Sequence, residues 1–339
     1  MAAKTDLDIE QPDALVGYLK ARGSIGSLEQ PTVTVLGGGV SNRVVLVTRW
    51  NGNAWVLKQA LPKLRVAVDW FSSPERVHRE AAAIRWLTEL GIRVPTLQFE
   101  DFDHHLLAMD AVPEPHENWK TMLLNRRLEM AHIDAFAKIL ADLHTRSRAR
   151  RAEIEGAFAD RSFFESLRIE PYYAYTAEQV PTARSFLADV VSLTRANRIC
   201  LVHGDFSPKN ILVHEQELVL LDHEVAHFGD PAFDIGFSMA HLLSKAHHLK
   251  DHRAQFQEAA LRYWTIYWRH VGGEDWSGGL EDRSVRSTLA CLLARVAGRS
   301  KLEYLDQPER DTQQRLVISL MAETQAGVPG LVSRFVGGL

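Results

Sequence analysis

The apolar positions follow two rhythms. Up to about residue 112 they occur mainly in short runs bounded by turn residues, and beyond about residue 128 they recur mainly at the 3.6-residue spacing of amphipathic helices. Residues 11–22 predict a short helix. Residues 32–36 and 43–47 predict two strands on either side of Gly37-Gly38-Gly39-Val40-Ser41-Asn42, a hairpin with a glycine-rich connection. Residues 54–59 read as a third strand, carrying Lys58 near its end. Residues 74–90 have the periodicity of a helix stopped by Gly91, and residues 105–109 read as another strand leading into Asp110-Ala111-Val112-Pro113. Proline ends regular structure there, so a boundary is expected between a smaller sheet lobe with one helix, residues 1–112, and a larger lobe, residues 113–339.

In the second stretch Ile133, Phe136, Ala137, Leu140 and Leu143 describe one apolar helix face, and Phe237, Ala240, His241 and Ser244 describe a less clean one. The exception is central. Residues 199–202, 211–213 and 218–221 are short β-like runs around two polar loops, an arrangement that projects loop side chains from strand ends. The pattern as a whole predicts an α+β chain.

Composition narrows the function classes. With 339 residues, 46% hydrophobic and 24% charged, the chain can bury the core of one large domain or two ordinary ones. A net charge of −4 supplies no positive field for nucleic acid or anionic lipid, which leaves small ligands as the expected partners. The first residues carry no basic segment followed by an apolar one, and no apolar run reaches membrane-spanning length, so a cytoplasmic location is expected. The oligomeric state is not legible. Cys200 and Cys291 have no ligand spacing and read as buried thiols. The pairs His104-His105 and His247-His248 are poorly spaced for two ligands on one helix face and read as packing or solvated side chains.

The chemistry concentrates in the two polar loops, His203-Gly204-Asp205-Phe206-Ser207-Pro208-Lys209-Asn210 and Asp222-His223-Glu224. Phosphoryl transfer requires a carboxylate to orient the attacking hydroxyl and oxygen donors for magnesium. Asp205 suits the first role, and Asn210 and Asp222 suit the second. Either loop residue taken alone could be a turn-forming Asx side chain, but an Asp, four residues, an Asn, and a further Asp seventeen positions after the first form a specific spacing.

With Gly38-Gly39-Val40-Ser41-Asn42 upstream and Asp230-Pro231-Ala232-Phe233-Asp234 downstream, these motifs resemble the aminoglycoside phosphotransferase and choline kinase family of the protein-kinase-like superfamily, over residues 33 to 305 or so. The resemblance implies a bilobal kinase-like fold with an antiparallel-sheet lobe and a helical lobe that holds the acceptor. It implies ATP and magnesium as cofactors, Asp205 as catalytic base, and Asn210 and Asp222 as metal ligands, with Glu224 as an additional metal or water ligand. It places Gly38, Gly39, Ser41 and Asn42 in the phosphate loop, Lys58 on the α- and β-phosphates with Glu80 as its partner, and backbone groups of Asp110 and Val112 on adenine. His203 becomes a positioning residue. Asp234 becomes a cap of the helix beginning near Phe233 and a brace for the catalytic loop.

The chain departs from protein kinases in having Asp222-His223-Glu224 instead of Asp-Phe-Gly and in lacking an Ala-Pro-Glu segment, which favours a small acceptor. No Walker A lysine follows the glycines. Trp119, Tyr172, Tyr173 and Tyr175 either cage a cationic acceptor or fill the core, and Arg295 either faces an anionic or sugar-like acceptor or makes a helix salt bridge. The leading expectation is an ATP-dependent phosphotransferase acting on a hydroxyl of a metabolite. The alternatives are a catalytically silent nucleotide-binding pseudokinase and, more narrowly, an aminoglycoside-resistance enzyme.

Overall fold

A computed structural model describes residues 7–37, 41–65, 70–323 and 326–339. It divides into two compact units, Met1–Pro113 and Glu114–Leu339.

The first unit is built on a five-stranded antiparallel sheet of β1 (Thr32–Val35), β2 (Asn42–Thr48), β3 (Ala54–Ala60), β4 (Leu97–Asp101) and β5 (Leu106–Asp110), in the order β1-β2-β3-β5-β4. Side chains alternate between its faces. Val45, Val47, Leu57, Leu106 and Ala108 form one core with Leu15 and Leu19 of the helix Pro12–Ala21. Ala60, Leu107 and Met109 form the other with Val77, Ala81 and Ile84 of the helix Arg76–Glu89. Both faces are therefore covered, by the helices expected over residues 11–22 and 74–90. Strand β4 was not predicted. It is an edge strand whose Glu100 and Asp101 serve as partners for His78, Arg85 and Tyr18, so it shows no clean apolar alternation.

The second unit is mainly helical. Its central helix, Ala232–His248, is buried from Ala232 through His247, which is why no single apolar face emerged from its sequence. Helix Leu280–Ala297 crosses it at Gly236, where an added Cβ would lie 2.5 Å from the Cβ of Ser287. Helix Met130–Ala149 buries the predicted face Ile133, Phe136, Ala137, Leu140 and Leu143, together with His144.

Two small sheets interrupt the helices. β6 (His116–Asn118) pairs with β8 (Ile211–His214), which forms a hairpin with β9 (Glu217–Leu220). β7 (Cys200–Val202) pairs with β10 (His227–Gly229). The β-like runs around the polar loops thus belong to two different sheets. Glu165–Ala174 forms a π-helical stretch containing Pro171, a residue that lacks the N–H for a regular helical ladder.

Both cysteines are buried and free, with burial pushing the Cys291 thiol up to about 12. No cluster of three His, Cys, Asp or Glu side chains forms a metal site among the described residues. No helix among them is long and apolar enough to cross a membrane.

Candidate active site

The loop after β7 is fastened from below by one buried carboxylate. Asp234 accepts the backbone N–H of His203 at 2.7 Å and that of Gly204 at 2.8 Å, while His144 Nε2 meets it at 3.3 Å. Burial alone would raise its proton affinity, but the His144 and His203 donors hold the carboxyl below its ordinary range. Asp234 therefore ties the loop to the helix that carries it. It does not cap its own helix, which starts at Ala232 and has Pro231 as N-cap with no side-chain bond, because both Asp234 oxygens face the loop. Gly204 has φ +78°, and a Cβ there would stand 2.8 Å from Val225 Cγ2, so glycine is required on both counts.

His203 joins the two polar loops. Its Nδ1 accepts the N–H of Asp205 at 3.1 Å and its Nε2–H donates to Leu221 O at 3.2 Å. Burial lowers its proton affinity, in keeping with a neutral ring in that tautomer. Leu221 N–H in turn donates to Asn210 O at 2.9 Å. The residue before Asp222 is thus clamped through both of its backbone groups, and Asp222 itself sits at φ +66°, a conformation uncommon for a non-glycine residue.

The side chains of Asp205 and Asn210 are in direct contact. Asn210 Nδ2 donates to Asp205 Oδ2 at 2.7 Å and to Asp205 O at 3.0 Å, which leaves Asn210 Oδ1 without a hydrogen bond among the described residues. A second donor reaches the same carboxylate oxygen: Arg168 Nη2 lies 3.0 Å from Asp205 Oδ2. Arg168 is pinned by Nε to Gly204 O and Nη1 to Leu167 O, both at 2.7 Å. Burial disfavours its charge, but the carboxylates of Asp205, Glu224 and Asp222 outweigh that and raise its proton affinity.

Arg168 was missed by sequence reasoning. It lies in the π-helical stretch, where 3.6-residue spacing does not report direction, and its one sequence signal is a lone charge between Leu167 and Ile169, both buried.

The side-chain oxygens of Asn210, Asp222 and Glu224 are hard donors of the kind magnesium takes. Oδ1 of Asn210 is available for that purpose because its amide nitrogen is committed to Asp205.

In the first unit Lys58 and Glu80 meet at 2.7 Å, with side chains 10% and 1% exposed. The alternation of β3 sends Lys58 toward the helix Arg76–Glu89, where Glu80 shares the inner face with Val77, Ala81 and Ile84. Ser41 O accepts Leu61 N–H at 3.0 Å and a bond from Arg76 Nη2, while Asn42 Nδ2 donates to Ser41 Oγ at 3.2 Å. Gly38 and Gly39 lie outside the described residues. Asp110 N–H donates to Thr96 O at 2.8 Å, so adenine recognition through Asp110 would fall to its carbonyl; Val112 follows the end of β5.

The acceptor candidates are not gathered into a cage. Trp119 is fully buried and packs edge-on against Phe136 at 4.9 Å, and Tyr173 is fully buried with its hydroxyl on Cys291 Sγ at 3.2 Å. Both rings belong to the core. Arg295 makes no carboxylate salt bridge among the described residues. Its Nη1 donates to Tyr172 OH at 2.8 Å and to Ser300 O at 2.6 Å.

Comparison with known proteins agrees with this architecture. The model of the phosphotransferase enzyme family (APH) matches residues 32–277, more than half of the chain, and the chain belongs to that family. Methylthioribose kinase 2 of Oryza sativa subsp. japonica is 23% identical over 269 residues, covering 68% of this chain and 61% of that protein, so the match spans less than two thirds of this relative. Among solved structures, amicoumacin kinase in complex with AMP-PNP, Ca2+ and Ami superposes with a TM-score of 0.58 at 15% identity, covering 85% of this chain and 88% of that one. An ethanolamine kinase of Plasmodium vivax superposes with a TM-score of 0.57 at 13% identity, covering 90% and 87%. At these identities the likeness establishes the protein-kinase-like fold.

Proposed function

We propose that this protein transfers the γ-phosphate of ATP, with magnesium, to a hydroxyl group of a small molecule. The observation that carries this reading is the Asp205 carboxylate. Its Oδ2 is fastened by Asn210 and Arg168, and its Oδ1 carries no hydrogen bond among the described residues. A carboxylate so oriented can align an acceptor hydroxyl and take its proton as the phosphoryl group is transferred. Asn210 and Asp222, with Glu224 beside them, would hold magnesium, which when bound neutralises charge on the phosphate oxygens. Lys58, oriented by Glu80, would supply the ammonium for the α- and β-phosphates.

Metabolite kinase is the preferred reading over two others. A silent nucleotide-binding module is disfavoured because Lys58, Asp205, Asn210 and Asp222 are all present. An aminoglycoside kinase is disfavoured because a polycationic acceptor calls for an acidic pocket.

The test is a panel of hydroxylated metabolites and aminoglycosides incubated with labelled ATP and magnesium. Transfer to a metabolite that falls by about 10³-fold or more in Asp205→Asn, with ATP affinity retained, is the expected result. ATP binding with no transfer to any compound would favour the silent module, and transfer confined to aminoglycosides would favour the resistance enzyme.

A further inference from the structure

The helical unit carries a group of cationic side chains gathered around residues 300–304. Arg295 Nη1 holds Ser300 through its carbonyl at 2.6 Å and its hydroxyl at 2.9 Å, and Leu302 N–H returns to Arg295 O at 2.9 Å. Lys120 pairs with Glu303. Lys245 Nζ lies 5.4 Å from the ring centre of Tyr304, and its hydrogen-bond acceptor is His241 O at 3.4 Å. Lys209, in the catalytic loop, lies within electrostatic reach of His241, and its backbone O accepts Asn118 Nδ2, two residues before Lys120.

Four cations from four elements thus have Glu303 as the one carboxylate in an ion pair with any of them among the described residues. Lys245 is 0% exposed and His241 4%, and His241 Nδ1, Arg295 Nε and Tyr304 OH have no partner in the described structure. Burial, together with Lys120 and Arg295, pushes the Lys245 ammonium down to about 7.

This group adjoins Asp205. Arg168, which holds Asp205, stands over the rings of Tyr172 at 5.7 Å and Phe237 at 5.9 Å. Tyr172 OH accepts from Arg295, and Phe237 packs on the His241 ring at 5.2 Å. The aromatic rings that could have received a cationic acceptor already face the protein's own cations, with Arg295 5.6 Å from Tyr172 and Arg299 5.0 Å from Tyr175.

We infer that the acceptor is a small hydroxylated anion, a polyol bearing phosphate or carboxylate, whose charge is received by Lys120, Lys209 and Arg295. This rests on the phosphotransferase reading above and deepens it. Those three side chains supply the contacts, and Lys245 and His241 lie behind them, where Lys245 adds positive potential in a poorly solvated setting. The uncompensated charge disfavours the free protein and is relieved when an anion arrives. The same field excludes choline-like and aminoglycoside-like cations.

The experiment is calorimetric titration of the full chain, saturated with AMP-PNP and magnesium, with gluconate, glucose 6-phosphate, glucose and glucosamine. At least one anionic probe is expected to bind about tenfold or more tighter than glucose, with affinity falling as ionic strength rises, and glucosamine is expected to bind more weakly than glucose. Lys120→Met should weaken the anion by about tenfold. Glu303→Gln, a change at a side chain 64% exposed, should tighten it while leaving AMP-PNP affinity unchanged.

Tighter binding of glucosamine than of both anions, no binding of either anion, or equal anion affinity across wild type and both variants would overturn the assignment. Gluconate responding without glucose 6-phosphate, or the reverse, identifies which anionic group the site takes. Failure of AMP-PNP itself to bind would instead bring down the phosphotransferase reading.

Discussion

Arg168 donates to Oδ2 of Asp205 at 3.0 Å, from a side chain only 10% exposed that is also bound to the carbonyls of Gly204 and Leu167. The arginine thus fixes both the backbone and the carboxylate of the loop expected to carry the reaction. The three nitrogens of a guanidinium reach acceptors spread over a wider span than the donors on a single ammonium nitrogen can cover.

Arg168→Met is expected to lower kcat by about 10²-fold, the scale associated with displacement of a reacting group by about 1 Å. Arg168→Lys should recover only part of that, because a single ammonium nitrogen cannot sit within bonding distance of all three acceptors at once. Steady-state kinetics with a KM for ATP measured alongside provides the check. A KM change without a kcat change would show that the arginine binds nucleotide and does not position Asp205.

The Lys58–Glu80 pair predicts an ordered series. Glu80→Gln keeps a hydrogen-bond acceptor near the ammonium, whereas Glu80→Ala leaves the lysine in a buried site without that partner; removing one member of a buried pair costs about 3–5 kcal/mol. ATP affinity measured by titration should fall from wild type to Glu80→Gln to Glu80→Ala, with Lys58→Met weakest. Equal affinity across the series would remove this pair from the nucleotide site.

Asp234 predicts an acid-labile loop. Its folded proton affinity is lowered relative to an ordinary carboxyl, so the stability it contributes is fully present above the unfolded value of about 4 and is lost as pH falls through the folded value. Asp234→Asn should reduce the unfolding midpoint at neutral pH, since an amide has only one oxygen for the two N–H groups of His203 and Gly204. The difference between wild type and variant should narrow in acid. Thermal unfolding across pH 2 to 7 or so tests this window.

Lys245 predicts a second pH window, on the basic side. Its folded value is about 7 against 10.5 for the ordinary side chain, so the unfolded chain binds more protons between those values and the protein gains stability as pH rises through that range. Below pH 7 or so the buried ammonium is charged beside Lys120 and Arg295, with Glu303 the one acid acting on it among the described residues. Lys245→Met should therefore stabilise the protein at pH 6 by an amount on the order of a few kcal/mol, a gain that shrinks toward pH 10. A gain that does not vary with pH would mean that methionine packs better and that charge plays no part.

The sequence by itself determined the elements whose function depends on local spacing. The hairpin strands, the helix containing Glu80, and the loops containing Asp205, Asn210 and Asp222 were legible because strand alternation, helical period and loop residue order are properties of neighbouring positions. The shared inner face of Glu80, Val77, Ala81 and Ile84 is of this kind.

Tertiary structure alone decided which distant groups meet. Arg168 reaches Asp205 from a π-helical stretch, and Asp234 turns to the loop instead of capping its helix. Trp119 and Tyr173 go into the core, and Lys120, Lys209, Lys245 and Arg295, from separate elements, all come within electrostatic reach of His241. Electrostatic energies depend on distance through space and on burial, and neither quantity is encoded in the spacing of residues along a chain.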